Sequence, residues 1–353
     1  MTFDPDTLNV LVMAPALGSD LAFLADVDPR VRILDGNAAY AAELEAQGLG
    51  WLPSSPATDP PPSQEERNAL LAQADVLCIG YPIIRDLLPR SPRLRWVHHV
   101  QAGVSNLWGT DVWDSDMSLT SGRGSVSPTS IAQYAIAGAL FFCKNLFSAY
   151  LDKSTGWLDK STYQSLRLEG ATMGIVGLGG IGAEVGRLAK GLGMRVVATR
   201  RSVDAPQRDR DGVDLLLPAR DLKEMASQSD FLAVCAQLTH ETRGIIDRDV
   251  LAVMKPTGVL INISRGELID EGALVDALRE GRLRGAVMDV FEGELEGKPP
   301  RRELMELPQV LITSHGSSGG RRAEPMQELF RENVRRFVNG EPLINLVDRS
   351  RGY

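Results

Sequence analysis

Residues 172–182 read TMGIVGLGGIG, and this run limits the possible folds more than any other in the chain. A short apolar strand ends in Gly177-x-Gly179-x-x-Gly182. A helix follows at once, with Val185, Leu188, Ala189 and Leu192 on one face. The first glycine permits a tight turn, the second lets backbone approach a pyrophosphate, and the third lets helix and strand pack closely. Gly180, Ile181 and Gly182 open the helix, where free amides and the helix dipole favour phosphate. Strand, loop and helix in this order predict dinucleotide binding; the competing reading is a structural glycine turn.

The surroundings repeat the pattern. Apolar runs at 195–200, 231–236, 258–264, 285–291 and 309–314 read as strands buried on both faces. With 172–177 they predict a Rossmann-type doubly wound parallel sheet of roughly six strands. A separate series, 8–14, 31–36, 74–80 and 94–100, with a helix-like run at 38–50, predicts a second parallel sheet. At 353 residues the chain exceeds one compact domain, so two are expected. The polar, proline-rich run 52–66 reads as an exposed loop, and a long helix is expected from about Thr129 to Tyr150. Residues 324–340 carry Met326, Leu329, Phe330, Val334 and Phe337 at helical spacing, which predicts an amphipathic helix packing back on the first sheet.

Composition narrows the partners. The net charge is −8 and basic residues are not massed, which argues against nucleic acid or an anionic membrane. Cys78, Cys143 and Cys235 are far apart and form no CxxC, as expected of reduced, buried thiols. The acidic start MTFDPDTLNV does not read as a basic n-region before an apolar core, so no secretory signal is expected, and the apolar run 136–143 is too short to span a bilayer. A cytoplasmic protein is expected. No His/Cys/Asp/Glu grouping has metal-ligand spacing.

The second strand, RVVATRRS at 195–202, bears on cofactor choice. An acid at its end accepts hydrogen bonds from an NAD ribose. Here Arg200 stands there, followed by Arg201 and Ser202. A guanidinium binds a 2′-phosphate through a two-pronged, charge-assisted contact, and Ser202 adds a hydroxyl. NADP(H) is therefore the expected cofactor. NAD(H) remains possible if the arginines are a solvated pair, or if Asp204 curls back as the missing acid.

Three later strands end in polar residues of complementary type: Arg265, then Asp289 and Glu294, then His315. Open α/β sheets place ligands at these carboxyl ends. An arginine there holds a keto-acid carboxylate. A histidine gives or takes the hydroxyl proton, and a carboxylate beside it stabilises its charged form. EGELEG offers Glu292, Glu294 and Glu296 together, and spacing selects Glu294. His98, His99 and His240 read as polar surface or cleft-edge residues, and Trp108 and Trp113 as packing residues.

These stretches resemble the D-isomer-specific 2-hydroxyacid dehydrogenase family. The likeness is carried by GIVGLGGIG, LTHETRGIID (238–247), ISRGELIDEGALVDALREGRLRGAVMDVFEGEL and RENVRRFVNGEPLINLVDR (331–349). Arginine, glutamate and histidine stand in the family's order, 29 and 21 positions apart. The resemblance implies that Arg265 orients the substrate, His315 is the acid–base group, Glu294 pairs with it and Asp289 lies near the nicotinamide carboxamide. It implies that the amides of Ala102, Gly103 and Val104, in HHVQAGVSNL, cradle the substrate carboxylate. It implies an α/β architecture with a smaller flavodoxin-like substrate domain, 1–121 and 322–353, and an inserted dinucleotide-binding domain, 122–321. The active site is then the cleft, and the protein a homodimer through the helix after Pro128. Departures from the family pattern are Thr313-Ser314-His315 for Thr-Pro-His, Leu295 for Pro, Gln237-Leu238-Thr239-His240 for Pro-Leu-Thr-Pro and Ala132-Gln133 for Ala-Glu.

The function implied is interconversion of a 2-keto acid and a D-2-hydroxy acid with NADP(H). Two alternatives stand beside it: a nucleotide-sensing, corepressor-like binding protein, and a formate- or phosphite-type dehydrogenase. Glu294 opposes the formate type, which carries glutamine there.

Overall fold

The computed structural model describes residues 7–49, 60–125, 127–153, 156, 165–319 and 323–352. The chain divides into two compact units, Met1–Val126 with Arg321–Tyr353, and Ser127–Gly320. The sequence expectation put the first boundary at 121/122. Backbone bonds hold the next residues to the first unit: the Gly122 amide donates to the His99 carbonyl at 2.8 Å and to the Gln101 carbonyl at 2.9 Å.

In the first unit, β1 (Leu8–Met13), β2 (Val31–Asp35), β3 (Val76–Ile79), β4 (Trp96–His99) and β5 (Ser118–Ser121) form a parallel sheet in the order β2-β1-β3-β4-β5. This is the flavodoxin-like order. Side chains alternate between two cores. Leu11 and Met13 join Tyr40, Leu44 and Leu71, whereas Val10 and Val12 join Trp96 and Phe330. The helix Glu324–Val338 covers the latter face with Met326, Phe330 and Val334. β5 was not foreseen: SLTS is short and carries a single large apolar side chain, Leu119. Residues 52–59 of the proline-rich run lie outside the described residues. Its end is helical rather than loop: Ser63 caps the helix Gln64–Gln73 in a capping box with Glu66.

The second unit holds an eight-stranded sheet. Its strands are β6 (Thr172–Val176), β7 (Arg195–Arg200), β8 (Gln207–Arg210), β9 (Val213–Pro218), β10 (Phe231–Val234), β11 (Val259–Asn262), β12 (Gly285–Met288) and β13 (Val310–Ile312). The order is β13-β12-β11-β10-β6-β7-β9-β8, parallel except for β8 against β9. The chain runs from β6 outward through β7 and β9, then returns to β10 on the other side, so the loop after β6 lies at the switch point. The β8–β9 hairpin was missed because QRDR is exposed throughout and shows no apolar alternation. Its turn was legible: Asp211-Gly212 has positive φ at both positions, as a two-residue hairpin demands. The long helix is broken. Pro128–Cys143 ends before Asn145, whose φ of 53° interrupts it, and Leu146–Asp152 follows. Among the described residues no single helix is long and apolar enough to cross a membrane.

Two of the histidines expected at the surface are in the core. His99 is fully buried, and His98 is 1% exposed. The His98 ring stacks on Phe330 with centroids 5.0 Å apart, and its Nδ1 lies 2.8 Å from the Thr120 hydroxyl. His240 is exposed. Burial, with a smaller contribution from His99, pushes His98 down to about 3. Below the ordinary histidine value of 6.5 the unfolded chain binds a proton that the folded chain refuses. This part of the stability is therefore complete above pH 6.5 and is lost as pH falls towards 3. Urea unfolding should show a loss of about 2 kcal/mol between pH 7 and pH 5. The His98→Leu variant should lose that difference; an unchanged difference would place the proton uptake elsewhere.

Candidate active site

The glycine loop is shaped by contact. Gly177 has φ +92°, and a Cβ there would lie 2.8 Å from the Ala236 Cα. A Cβ on Gly182 would lie 2.4 Å from the Gly177 carbonyl oxygen. Only glycine serves at either place. At Gly179 and Gly180, by contrast, a Cβ would meet no atom of the chain within 4 Å. The helix Gly180–Gly191 takes its first internal bond from Ala183 N–H to the Gly179 carbonyl, at 2.8 Å. The amides of Gly180, Ile181 and Gly182 thus precede its hydrogen-bond ladder and suit an anion. These residues fit a pyrophosphate.

The two arginines divide. Arg200 donates from Nε and Nη2 to the Leu178 carbonyl at 3.0 and 2.9 Å, and its Nη1 pairs with Asp211 at 2.6 Å. It is anchored to the glycine loop, not extended as the phosphate prong foreseen for it. The Asp-Gly turn of the unforeseen hairpin supplies its counter-charge; Asp204 does not. Arg201 is exposed, 3.5 Å from the more exposed Glu241, and Ser202 is exposed beside it.

Three neighbouring strands end in the expected residues. After β11, the fully buried Asn262 shapes the turn: its amide donates to the Arg265 carbonyl at 2.8 Å and accepts from Ser264 N–H at 3.1 Å. Arg265 is half-buried and donates to the Ser264 carbonyl at 2.7 Å. Gly266 abuts the loop after β12, since a Cβ there would lie 1.9 Å from the Phe291 carbonyl carbon. That loop carries Glu294, whose Oε1 lies 2.8 Å from His315 Nδ1. The Glu294 side chain is 9% exposed and that of His315 36%, so the pair has one sheltered and one accessible partner. A carboxylate accepts only, so Nδ1 carries the hydrogen and Nε2 is left to exchange a proton with a ligand.

Asp289, expected near the nicotinamide carboxamide, has its carboxylate bonded to the loop that follows β13. It is fully buried, and its carboxylate accepts from the Thr313 hydroxyl at 2.6 Å, Gly316 N–H at 2.8 Å and Ser317 N–H at 2.9 Å. It holds the loop that carries His315. Asn262, Thr313 and Tyr134, whose hydroxyl meets Thr313, were missed. Only the Asn-x-x-Arg spacing of the first was a signal. Ala102, Gly103 and Val104 lie in the first unit, after β4; Ala102 and Gly103 are half-buried, and the Val104 side chain joins the core.

Fold and site together define an α/β protein of dinucleotide-binding type with a histidine–carboxylate pair and an arginine after adjacent strands. Residues 136–317, just over half the chain, match the model of the D-isomer specific 2-hydroxyacid dehydrogenase, NAD binding domain. The chain is 30% identical over 297 residues to D-3-phosphoglycerate dehydrogenase of Methanocaldococcus jannaschii, covering 81% of this chain and 54% of that protein. It therefore spans about half that relative's length. It is 32% identical to glyoxylate reductase of Pyrococcus furiosus, covering 78% of this chain and 82% of the reductase. The solved NADPH-dependent glyoxylate/hydroxypyruvate reductase of Sinorhizobium meliloti, in complex with NADP and sulfate, shares the fold with a TM-score of 0.77. That likeness is at 24% identity and covers 98% of this chain and 100% of that one. This chain belongs to the D-isomer specific 2-hydroxyacid dehydrogenase family.

The loop contacts make a prediction. Gly182→Ala should weaken nucleotide binding about tenfold or more, followed by tryptophan fluorescence, because the new methyl must displace the Gly177 carbonyl. Gly191→Ala, whose methyl meets nothing within 4 Å, should bind as the parent does. Equal binding by all three proteins would remove the glycine loop from the nucleotide site.

Proposed function

We propose that this protein reduces a small 2-keto acid, of the size of glyoxylate or hydroxypyruvate, to the D-2-hydroxy acid, and runs the reverse reaction, with NADP(H) preferred over NAD(H). The observation that carries this reading is the His315 Nδ1 to Glu294 contact of 2.8 Å beside the arginine-bearing strand end. The names of the relatives support the substrate class. Bound nicotinamide supplies the hydride. Protonated His315 gives its Nε2 proton to the carbonyl oxygen while Glu294 stabilises the charged ring. Arg265 holds the substrate carboxylate through paired N–H donors.

For the cofactor, Arg201 and Ser202 are the 2′-phosphate donors, and Arg200 keeps the glycine loop in shape. Arg201→Ala should then raise KM for NADPH about tenfold or more and leave KM for NADH within about twofold, since one charge-assisted bond is lost. Arg200→Ala should raise both. A clear NADH preference in the parent would overturn the NADP(H) reading and leave the reaction class standing.

Nicotinamide absorbance with glyoxylate, hydroxypyruvate, pyruvate and a bulkier 2-keto acid tests the reaction. Turnover with one of the small acids is expected, and His315→Ala should lower kcat by about 10²–10⁴-fold. Nucleotide binding without turnover of any of them would overturn the reading and favour a sensor.

We also propose a homodimer. Leu146, Tyr150, Leu151 and Leu166 are exposed near one another in sequence on the second unit, an apolar set that a second copy would cover. Light scattering should give about twice 38.4 kDa, and a mass of one chain would reject the dimer.

A further inference from the structure

His315 has φ +52°, the left-handed region that a side chain rarely adopts. Such a conformation persists only where its neighbours over-determine it. Residue 289 provides much of that constraint. Its carbonyl accepts the His315 N–H at 2.8 Å, and its carboxylate accepts the two amides that follow, of Gly316 and Ser317. The third donor to the carboxylate is the Thr313 hydroxyl, at 2.6 Å.

The direction of the next contact follows from valence. A threonine hydroxyl has one hydrogen, and Thr313 has given it to Asp289. The Tyr134 hydroxyl, 2.5 Å from the Thr313 oxygen, is therefore the donor of that pair. Burial pushes the Tyr134 phenol further above its ordinary value, so it keeps its hydrogen. Four residues earlier on the same face of the helix Pro128–Cys143 stands Ser130. Its Oγ lies 3.0 Å from the Ser317 carbonyl and 2.8 Å from that of Gly319. One helix face thus grips the His315 loop on both sides of the histidine.

We propose that Tyr134 and Ser130 are positioning residues: through Thr313, Asp289 and the Ser317–Gly319 backbone, they hold His315 in the backbone setting from which its ring meets Glu294. The inference rests on the reading of His315 as the acid–base group.

Tyr134→Phe removes one O–H and keeps the ring, so the fold is retained. It should lower kcat about tenfold, with nucleotide affinity and KM for NADPH unchanged, because small displacements of a reacting group cost rate more than binding. Thr313→Val should do the same. The double variant should be no worse than either single one, since each breaks the same chain of bonds. Thr313→Ser, which keeps the hydroxyl, should restore kcat to within about twofold of the parent. The chain has four histidines, so ¹⁵N-histidine NMR can follow His315 directly. Its Nδ1–H signal, sharp in the parent, should broaden or split in Tyr134→Phe and in Ser130→Ala. A Tyr134→Phe variant with parental kcat and a sharp His315 signal would overturn the inference, as would fully additive losses in the double variant. If the parent turns over no 2-keto acid, the NMR result alone decides, and the failure of the reaction reading stays distinct from failure here.

Discussion

Parallel strand order is the constraint on which the rest of the second unit depends. Because β6, β7, β10, β11, β12 and β13 run the same way, their carboxyl ends emerge along one sheet edge. Groups as distant in sequence as Gly177 and His315 are thereby brought to that edge without long loops. The cost is that the central strands β6, β10, β11 and β12 are buried along their whole length and largely apolar, so the chemistry is concentrated in the few residues after each strand. Arg265, Glu294 and His315 all occupy such positions, and each needs local help to point usefully. Asn262 turns the first, Gly266 brings the first loop against the second, and Asp289 turns the third.

That division explains what was legible. Strand cores announce themselves as apolar runs, and the glycine loop by its spacing, since steric exclusion at Gly177 and Gly182 leaves no alternative residue. The residues after the strands could be found by type and order. Their supports could not. Asn262, Thr313 and Tyr134 are ordinary polar residues whose importance lies in where neighbouring strands and a helix place them. The β8–β9 hairpin escaped for a different reason: an edge strand exposed on both faces has no burial pattern to read. His98 and His99 were misplaced because a charge-capable side chain suggests water. Thr120 of the neighbouring strand, Asn106 and the Phe330 ring of the covering helix provide polar and stacking partners in the core.

The arginine pair shows how an unforeseen element changes the meaning of a motif. Read along the strand, Arg200 occupies the place of the ribose-binding acid and should reach for phosphate. In the folded chain the hairpin brings Asp211 beside it, and the Leu178 carbonyl takes two of its donors. A guanidinium has five N–H donors in a fixed plane, so one held by three bonds cannot also swing freely to a ligand. Arg201, one residue on, lies 3.5 Å from Glu241, and both side chains are exposed. An exposed pair of this kind is worth little and yields readily to a phosphate carrying more charge.

Two carboxylates flank His315 and differ in what surrounds them. Glu294 offers one oxygen to the imidazole and can respond when the ring gains a proton. Asp289 is wholly buried, and its carboxylate accepts from neutral donors: one hydroxyl and two amides. A buried carboxylate left without such bonds would be strongly unfavourable. The loop that supplies them is held closed by the carboxylate's need for them. An asparagine in its place would keep one acceptor oxygen and turn an NH₂ towards an amide donor, so the loop would lose a bond on one side of His315. The short aspartate side chain, leaving the same residue whose carbonyl accepts the His315 amide, spans both sides of the histidine. The left-handed turn at His315 is thus maintained by one residue acting through its backbone and its side chain together, and the ring that leaves that turn meets Glu294.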